Sequence, residues 1–115
     1  MNHKFFTYSW HDAVIEKIEI IVNQITITIC LDGYDEPIKV LCSDVVGLTD
    51  LCMWEDTIIF TATLEKVTKE LPSFLQQVKN AHYEECVHPN LLCLSFQLTN
   101  DIAFHIYCYN VEIVE

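Results

Sequence analysis

The chain contains no arginine, and all six of its basic residues are lysines. Aspartate and glutamate number 17, which gives a formal net charge of −11 at pH 7. Proteins that bind nucleic acid place cations along the phosphates, and sequence-specific ones often grip guanine with the arginine fork. The composition therefore argues against DNA, RNA and anionic membrane surfaces as partners.

Motifs that carry enzymatic chemistry are also missing. With only two glycines the chain has no glycine-rich phosphate loop, and it has neither G-x-S-x-G nor H-E-x-x-H. The most suggestive dyad is His11-Asp12, because a carboxylate can orient an imidazole base. Adjacent residues of a strand point to opposite faces, so we expect Asp12 to cap a turn and His11 to pack at a strand entrance. We expect His82 and His105 to be structural, and the protein not to be an enzyme.

No long apolar segment is present. The stretch 18–31 carries Glu19, Asn23 and Gln24 and is too polar for a membrane helix, which needs about 20 apolar residues. The N-terminal residues show no apolar run typical of a secretory signal. At 115 residues and 51% hydrophobic content, the sequence predicts one cytoplasmic domain spanning residues 1–115.

Six cysteines could indicate a disulfide framework, but such scaffolds usually come with a signal peptide and a poor core. Cys30, Cys93 and Cys108 lie in apolar strand-like runs, which predicts buried reduced thiols. The alternative is a zinc site at Cys86, His88 and Cys93, although no Cys-x-x-Cys pair accompanies them. We expect neither metal nor cofactor.

Apolar residues alternate with polar ones through most of the chain, which predicts β-strands. The pattern gives a hairpin over 13–31, a third strand over 38–42 and a bend or bulge near Gly47. Further strands follow at 58–64, 92–98 and 102–113. Both faces of the 58–64 strand are apolar, which favours a central position in the sheet.

Around Pro72 the period changes to three and four residues, which predicts one short α-helix near residues 72–82. Short turns between most strands favour antiparallel pairing. The predicted fold class is therefore α+β, with six or seven mostly antiparallel strands in a sandwich or curved sheet.

Three acidic turns interrupt the apolar strands, and each lies beside an aromatic side chain. Neighbouring carboxylates in turns are often simply solvated, and paired ones also occur in glycosidases and divalent-metal sites. Interfaces, however, combine aromatic anchors with charge steering. The candidate partner-binding residues are Asp32, Tyr34, Asp35, Glu36, Trp54, Glu55, Asp56, Glu84 and Glu85, with Tyr83 beside the last pair.

The segment 8–15, YSWHDAVI, together with the strands up to residue 65, resembles the opening of small bacterial β-rich proteins found among toxin-immunity families. In size, acidity and lack of catalytic motifs the chain also resembles the immunity proteins of contact-dependent growth inhibition and related polymorphic toxin systems. The resemblance implies a monomeric or homodimeric cytoplasmic protein that neutralises a basic toxin, above all a nuclease. The alternative is a self-associating structural or interaction domain with no toxin partner.

Overall fold

The computed structural model describes residues 3–49, 57–67, 91–99 and 102–115. A short 3-10 helix, η1 (His3–Thr7), precedes six strands. All pairings are antiparallel, and the spatial order β1-β2-β3-β6-β5-β4 closes into a barrel because β4 returns to β1. The strands are β1 (Val14–Ile21), β2 (Gln24–Cys30), β3 (Ile38–Thr49), β4 (Thr57–Lys66), β5 (Leu92–Leu98) and β6 (Ala103–Val114).

The prediction of a mostly antiparallel β structure is confirmed, but the described residues are mainly β rather than α+β. That class rested on the helix near residues 72–82, which lies outside the described residues. Within the described part the helical structure is confined to η1. There, no helix is long and apolar enough to cross a membrane.

β3 and β6, with 12 residues each, hold the two halves of the sheet together. They pair along nearly their full length, from Lys39 opposite Val114 to Thr49 opposite His105. β2 pairs only with the first part of β3, whereas β5 pairs only with the first part of β6. The β3–β6 ladder therefore connects a β1–β2 half to a β4–β5 half.

The β3–β6 ladder bends where the alternation of inward-facing and outward-facing residues shifts by one position. Cys42 and Val45 both face the core on β3, with Asp44 between them at φ 53°. Cys108 and Val111 do the same on β6. Such irregularities let one strand turn from one half of a folded sheet into the other. The expected irregularity near Gly47 is confirmed as a register shift between Val45 and Gly47.

The thiols of Cys42 and Cys108 meet inside this bend. Both side chains are fully buried, and they form a hydrogen bond. That bond, together with burial, raises the pKa of Cys42. The expectation of a buried thiol holds for Cys108, whereas Cys30 and Cys93 are only half-buried, because their strand positions face outward. All four are reduced.

Apolar side chains that alternate along the strands fill the interior, and no described polar or charged residue is buried. Phe96 and Phe104 stack at its centre with ring centroids 5.0 Å apart. Trp10 packs edge-on against Phe96 at 6.5 Å and stacks on Phe5 at 4.9 Å. The segment that precedes β1 therefore contributes two rings to the same core.

β4 departs from strict alternation. Its sequence pattern places Ile58, Phe60 and Leu64 on one face, but only Leu64 of the three is buried. A register shift between Ile59 and Thr61 resets the pattern, so that Ile59 faces the core while Phe60 is 50% exposed. β4 lies between β5 and β1, which confirms the prediction of a central position, although its pairing with β1 comprises only two residue pairs.

Val22 and Asn23 form the two-residue turn between β1 and β2, since Ile21 pairs with Gln24. Val22 has φ 52° and is 95% exposed. A β-branched residue in this left-handed region is strained, whereas asparagine tolerates it well. The Asn23 carbonyl accepts a hydrogen bond from the Val45 N–H at 2.9 Å, which fixes the turn against β3.

We expect Val22→Asn to raise the free energy of unfolding by about 0.5–1 kcal/mol, because it relieves this backbone strain without the entropy cost of glycine. Urea denaturation of the two proteins measures the difference. The matched control is Val114→Asn, which makes the same change at an exposed strand position of ordinary backbone geometry. Equal effects at both positions would contradict the assignment of strain to Val22.

Candidate partner-binding surface

The acidic loop over residues 32–37 joins β2 to β3 and is exposed throughout. Gly33 adopts φ 86°, a left-handed conformation that glycine takes without strain. The Tyr34 N–H donates to the Leu31 carbonyl at 3.1 Å and closes the turn. Within the described part of the chain Asp35 and Glu36 have no ion-pair partner. Their negative charge is therefore directed to solvent.

A chain of aromatic contacts ties this loop to the core. Tyr34, 55% exposed, packs edge-on against Tyr8 with centroids 6.2 Å apart. Tyr8 contacts Trp10 at 5.8 Å, and the Trp10 Nε1–H donates to the Phe5 carbonyl at 2.9 Å. The acidic-aromatic surface, defined as Tyr8, Asp32, Tyr34, Asp35 and Glu36, is therefore supported by buried rings.

Only the first of the three predicted acidic turns can be placed. In this turn Asp32, Asp35 and Glu36 are exposed, and so is Tyr34. The other candidates, Trp54, Glu55, Asp56, Glu84 and Glu85, lie outside the described residues, as does Tyr83. The assignment of these residues to a partner-binding surface stays a prediction.

His11 and Asp12 do interact, contrary to the expectation that they would point apart. They occupy a turn rather than a strand, and Asp12 has φ 67°. The His11 Nδ1 lies 3.2 Å from the Asp12 Oδ2, with both side chains about 60% exposed. The His11 ring also contacts Phe60 at 5.5 Å. Water screens so exposed a pair, which makes it a surface contact at the start of β1.

The outer face of β5 and β6 carries a polar row that the sequence analysis missed, formed by Cys93, Ser95, His105 and Tyr107. Cys93 lies opposite Tyr107, and Ser95 lies opposite His105. The Ser95 Oγ is 2.7 Å from the His105 Nδ1 and 3.4 Å from the Cys93 Sγ. All four residues are half-buried.

A usable signal for this row existed in the sequence. The numbers of opposite residues in an antiparallel hairpin add up to a constant, which is 200 for a predicted turn centred on residue 100. Cys93 with Tyr107 and Ser95 with His105 satisfy this sum, and the structure pairs them. Treating His105 as an isolated histidine overlooked Ser95, its cross-strand neighbour.

The surroundings of the row keep the Cys93 thiol and the Tyr107 hydroxyl protonated by raising the pKa of each. Burial raises the pKa of the Cys93 thiol, although hydrogen bonds from Ser95 and Tyr107 partly oppose this. Burial and the nearby Cys93 raise the pKa of Tyr107 to about 12. A thiol kept protonated is a weak nucleophile and a weak metal ligand.

Ser95 and His105 resemble a nucleophile beside a base, but the backbone N–H groups of the strands that carry them are engaged in pairing. β5 lies between β4 and β6, and β6 lies between β5 and β3. Their backbone N–H groups belong to these ladders and are not free to hold an oxyanion. Within the described residues the row is therefore a hydrogen-bonded cluster on the outer face of the sheet.

The described residues contain no cluster of three or more metal-ligating side chains. Of the possible zinc ligands, Cys93 is hydrogen-bonded within the polar row, while Cys86 and His88 lie outside the described residues. No family model matches the chain, and neither curated proteins nor solved structures give a significant match.

The raised pKa predicts slow alkylation of Cys93. At about pH 8, iodoacetamide should modify it several-fold more slowly than a model thiol, since less thiolate is present. Tyr107→Phe should slow the reaction further, because it removes a hydrogen bond that favours the thiolate. Peptide mapping by mass spectrometry resolves this site from the other cysteines. Faster alkylation of Cys93 in Tyr107→Phe would contradict the assignment.

Proposed function

We propose that this protein is an immunity protein that binds a cognate basic toxin, a nuclease, in the cytoplasm and blocks its active site without performing chemistry. The observation that carries the proposal is the acidic-aromatic surface. It combines exposed carboxylates free of ion pairs within the described residues with an exposed tyrosine ring. This is the combination from which steered, tight interfaces are made.

The charge of the whole chain supports the same partner. A nuclease is positively charged along its substrate path, and a protein of net charge −11 presents to that path a field similar to that of nucleic acid. Such fields accelerate encounter, while the aromatic contacts determine how slowly the complex dissociates. The rings behind Tyr34 support a surface that is preorganised for binding, which lowers the entropy cost of association.

The proposal is tested by capturing partners from a lysate of the source organism at low salt and washing with increasing salt. We expect a basic partner in a 1:1 ratio that elutes as salt rises and whose nuclease activity the added protein inhibits. The association rate should fall steeply with ionic strength because opposite net charges steer the encounter. Failure to recover a basic partner that this protein inhibits would count against the proposal.

Two sets of variants locate the interface once the partner is in hand. We expect Tyr34→Ala to accelerate dissociation about tenfold, as truncation of an aromatic anchor does. Asp35→Asn with Glu36→Gln should slow association more than the control pair Glu16→Gln with Glu65→Gln. The control removes the same charge from exposed positions on β1 and β4. Stopped-flow binding measures both rates, and equal effects of the two pairs would exclude the loop as the contact site.

A further inference from the structure

β1 has an edge that no described residue covers beyond its first two positions. Its pairing with β4 comprises only Val14 with Ile58 and Ile15 with Thr57. A bulge between Ile15 and Lys17 follows immediately, and bulges turn a strand away from its neighbour. From Lys17 to Ile21, β1 pairs with β2 on one side and with no described strand on the other.

This edge carries apolar side chains that are exposed. Ile20 is 48% exposed and Ile21 is 67% exposed, next to the fully open Val22. Unpaired strand edges template the addition of another strand, and proteins usually blunt them with proline or charge. The charged residues of this edge are one lysine and one glutamate. On the outer face, Lys17 lies opposite Thr28 of β2 and Glu19 lies opposite Thr26.

We infer that a second copy of this chain adds to the β1 edge, forming an antiparallel two-fold pair centred on Ile18. Residues directly opposite each other in such a pair must lie on the same face of the sheet. Because side chains alternate along a strand, the numbers of two opposite residues must add up to an even value. When the pair is centred on Ile18, Lys17 of each copy lies opposite Glu19 of the other, so the two-fold symmetry gives this contact twice.

The neighbouring registers are worse for the same side chains. Moving the centre to residue 19 places Glu19 opposite its own copy, and moving it to residue 17 does so for Lys17. Like charges directly opposite on a sheet are destabilising. Lys17 and Glu19 are two residues apart and lie 3.8 Å from each other within the chain, Nζ to Oε1. Of these three registers, only the one centred on Ile18 therefore places opposite charges across the interface.

This dimer leaves the acidic-aromatic surface free, so it goes beyond the proposed toxin binding. β1 starts opposite the end of β2 that leads into the acidic loop, and it ends at the Val22 turn. An antiparallel pair around Ile18 therefore places the two acidic loops at opposite ends of the assembly. Because each copy carries −11, overall repulsion opposes the dimer, and salt should strengthen it by screening.

The experiment is sedimentation analysis of the purified protein, with charge-swap variants, at about 0.15 M salt. We expect a concentration-dependent dimer that Lys17→Glu or Glu19→Lys alone weakens roughly tenfold. The double variant Lys17→Glu/Glu19→Lys should restore it, and an equimolar mixture of the two single variants should form heterodimers. Lys39→Glu, an exposed change on β3 with the same charge difference as Lys17→Glu, controls for net charge.

A monomer at all protein and salt concentrations would overturn the inference, as would a dimer that responds to Lys39→Glu as strongly as to Lys17→Glu. Thermal denaturation of each variant verifies that the monomer remains folded. The salt responses keep this result separate from the proposed function, since toxin binding should weaken with salt while the dimer strengthens. Either interaction can fail without the other.

Discussion

The long antiparallel ladder between β3 and β6 is the constraint on which the rest of the fold depends. These strands join the β2 side of the sheet to the β5 side along nearly their full length, whereas the other junction between the halves, β1 with β4, is short. The ladder bends at Asp44, and that bend turns both strands' apolar faces toward one interior. Without it the chain would form an open sheet with an exposed apolar face, which is prone to association.

Closure of the sheet combines side-chain packing with the short β1–β4 junction, which Asp12 and Ala13 extend by backbone hydrogen bonds to Ile59. β1 and β4 share two residue pairs, whereas Phe5 and Trp10 fill the space beside Phe96. The same rings then support Tyr8 and Tyr34 on the surface. Core packing and the candidate binding surface are thus parts of one aromatic cluster, so a core substitution at Trp10 would disturb both.

The structure separates two kinds of surface. The acidic loop displays charge and an aromatic ring at one end of the β1–β2 hairpin, while the β1 edge displays backbone and apolar side chains toward the other. Charge steering suits a partner of opposite sign, and a self-complementary edge suits an identical copy. The polar row on β5 and β6 belongs to neither, since its groups bond to one another.

Period-two alternation in the sequence determined that all six described strands exist and which of their faces mostly points inward, because a strand buries one face only if every second residue is apolar. Short turns between most strands indicated their antiparallel pairing. Composition determined the acidic surface. Gly47 indicated the bulge at residues 45–47, but alternation could not reveal the bulges at residues 15–17 and 59–61. The bulge at 59–61 turns Phe60 outward, and the bulge at 15–17 coincides with the end of the described pairing between β1 and β4. The contact between Cys42 and Cys108, like that between Tyr34 and Tyr8, joins residues distant in the chain, so tertiary structure alone decided it.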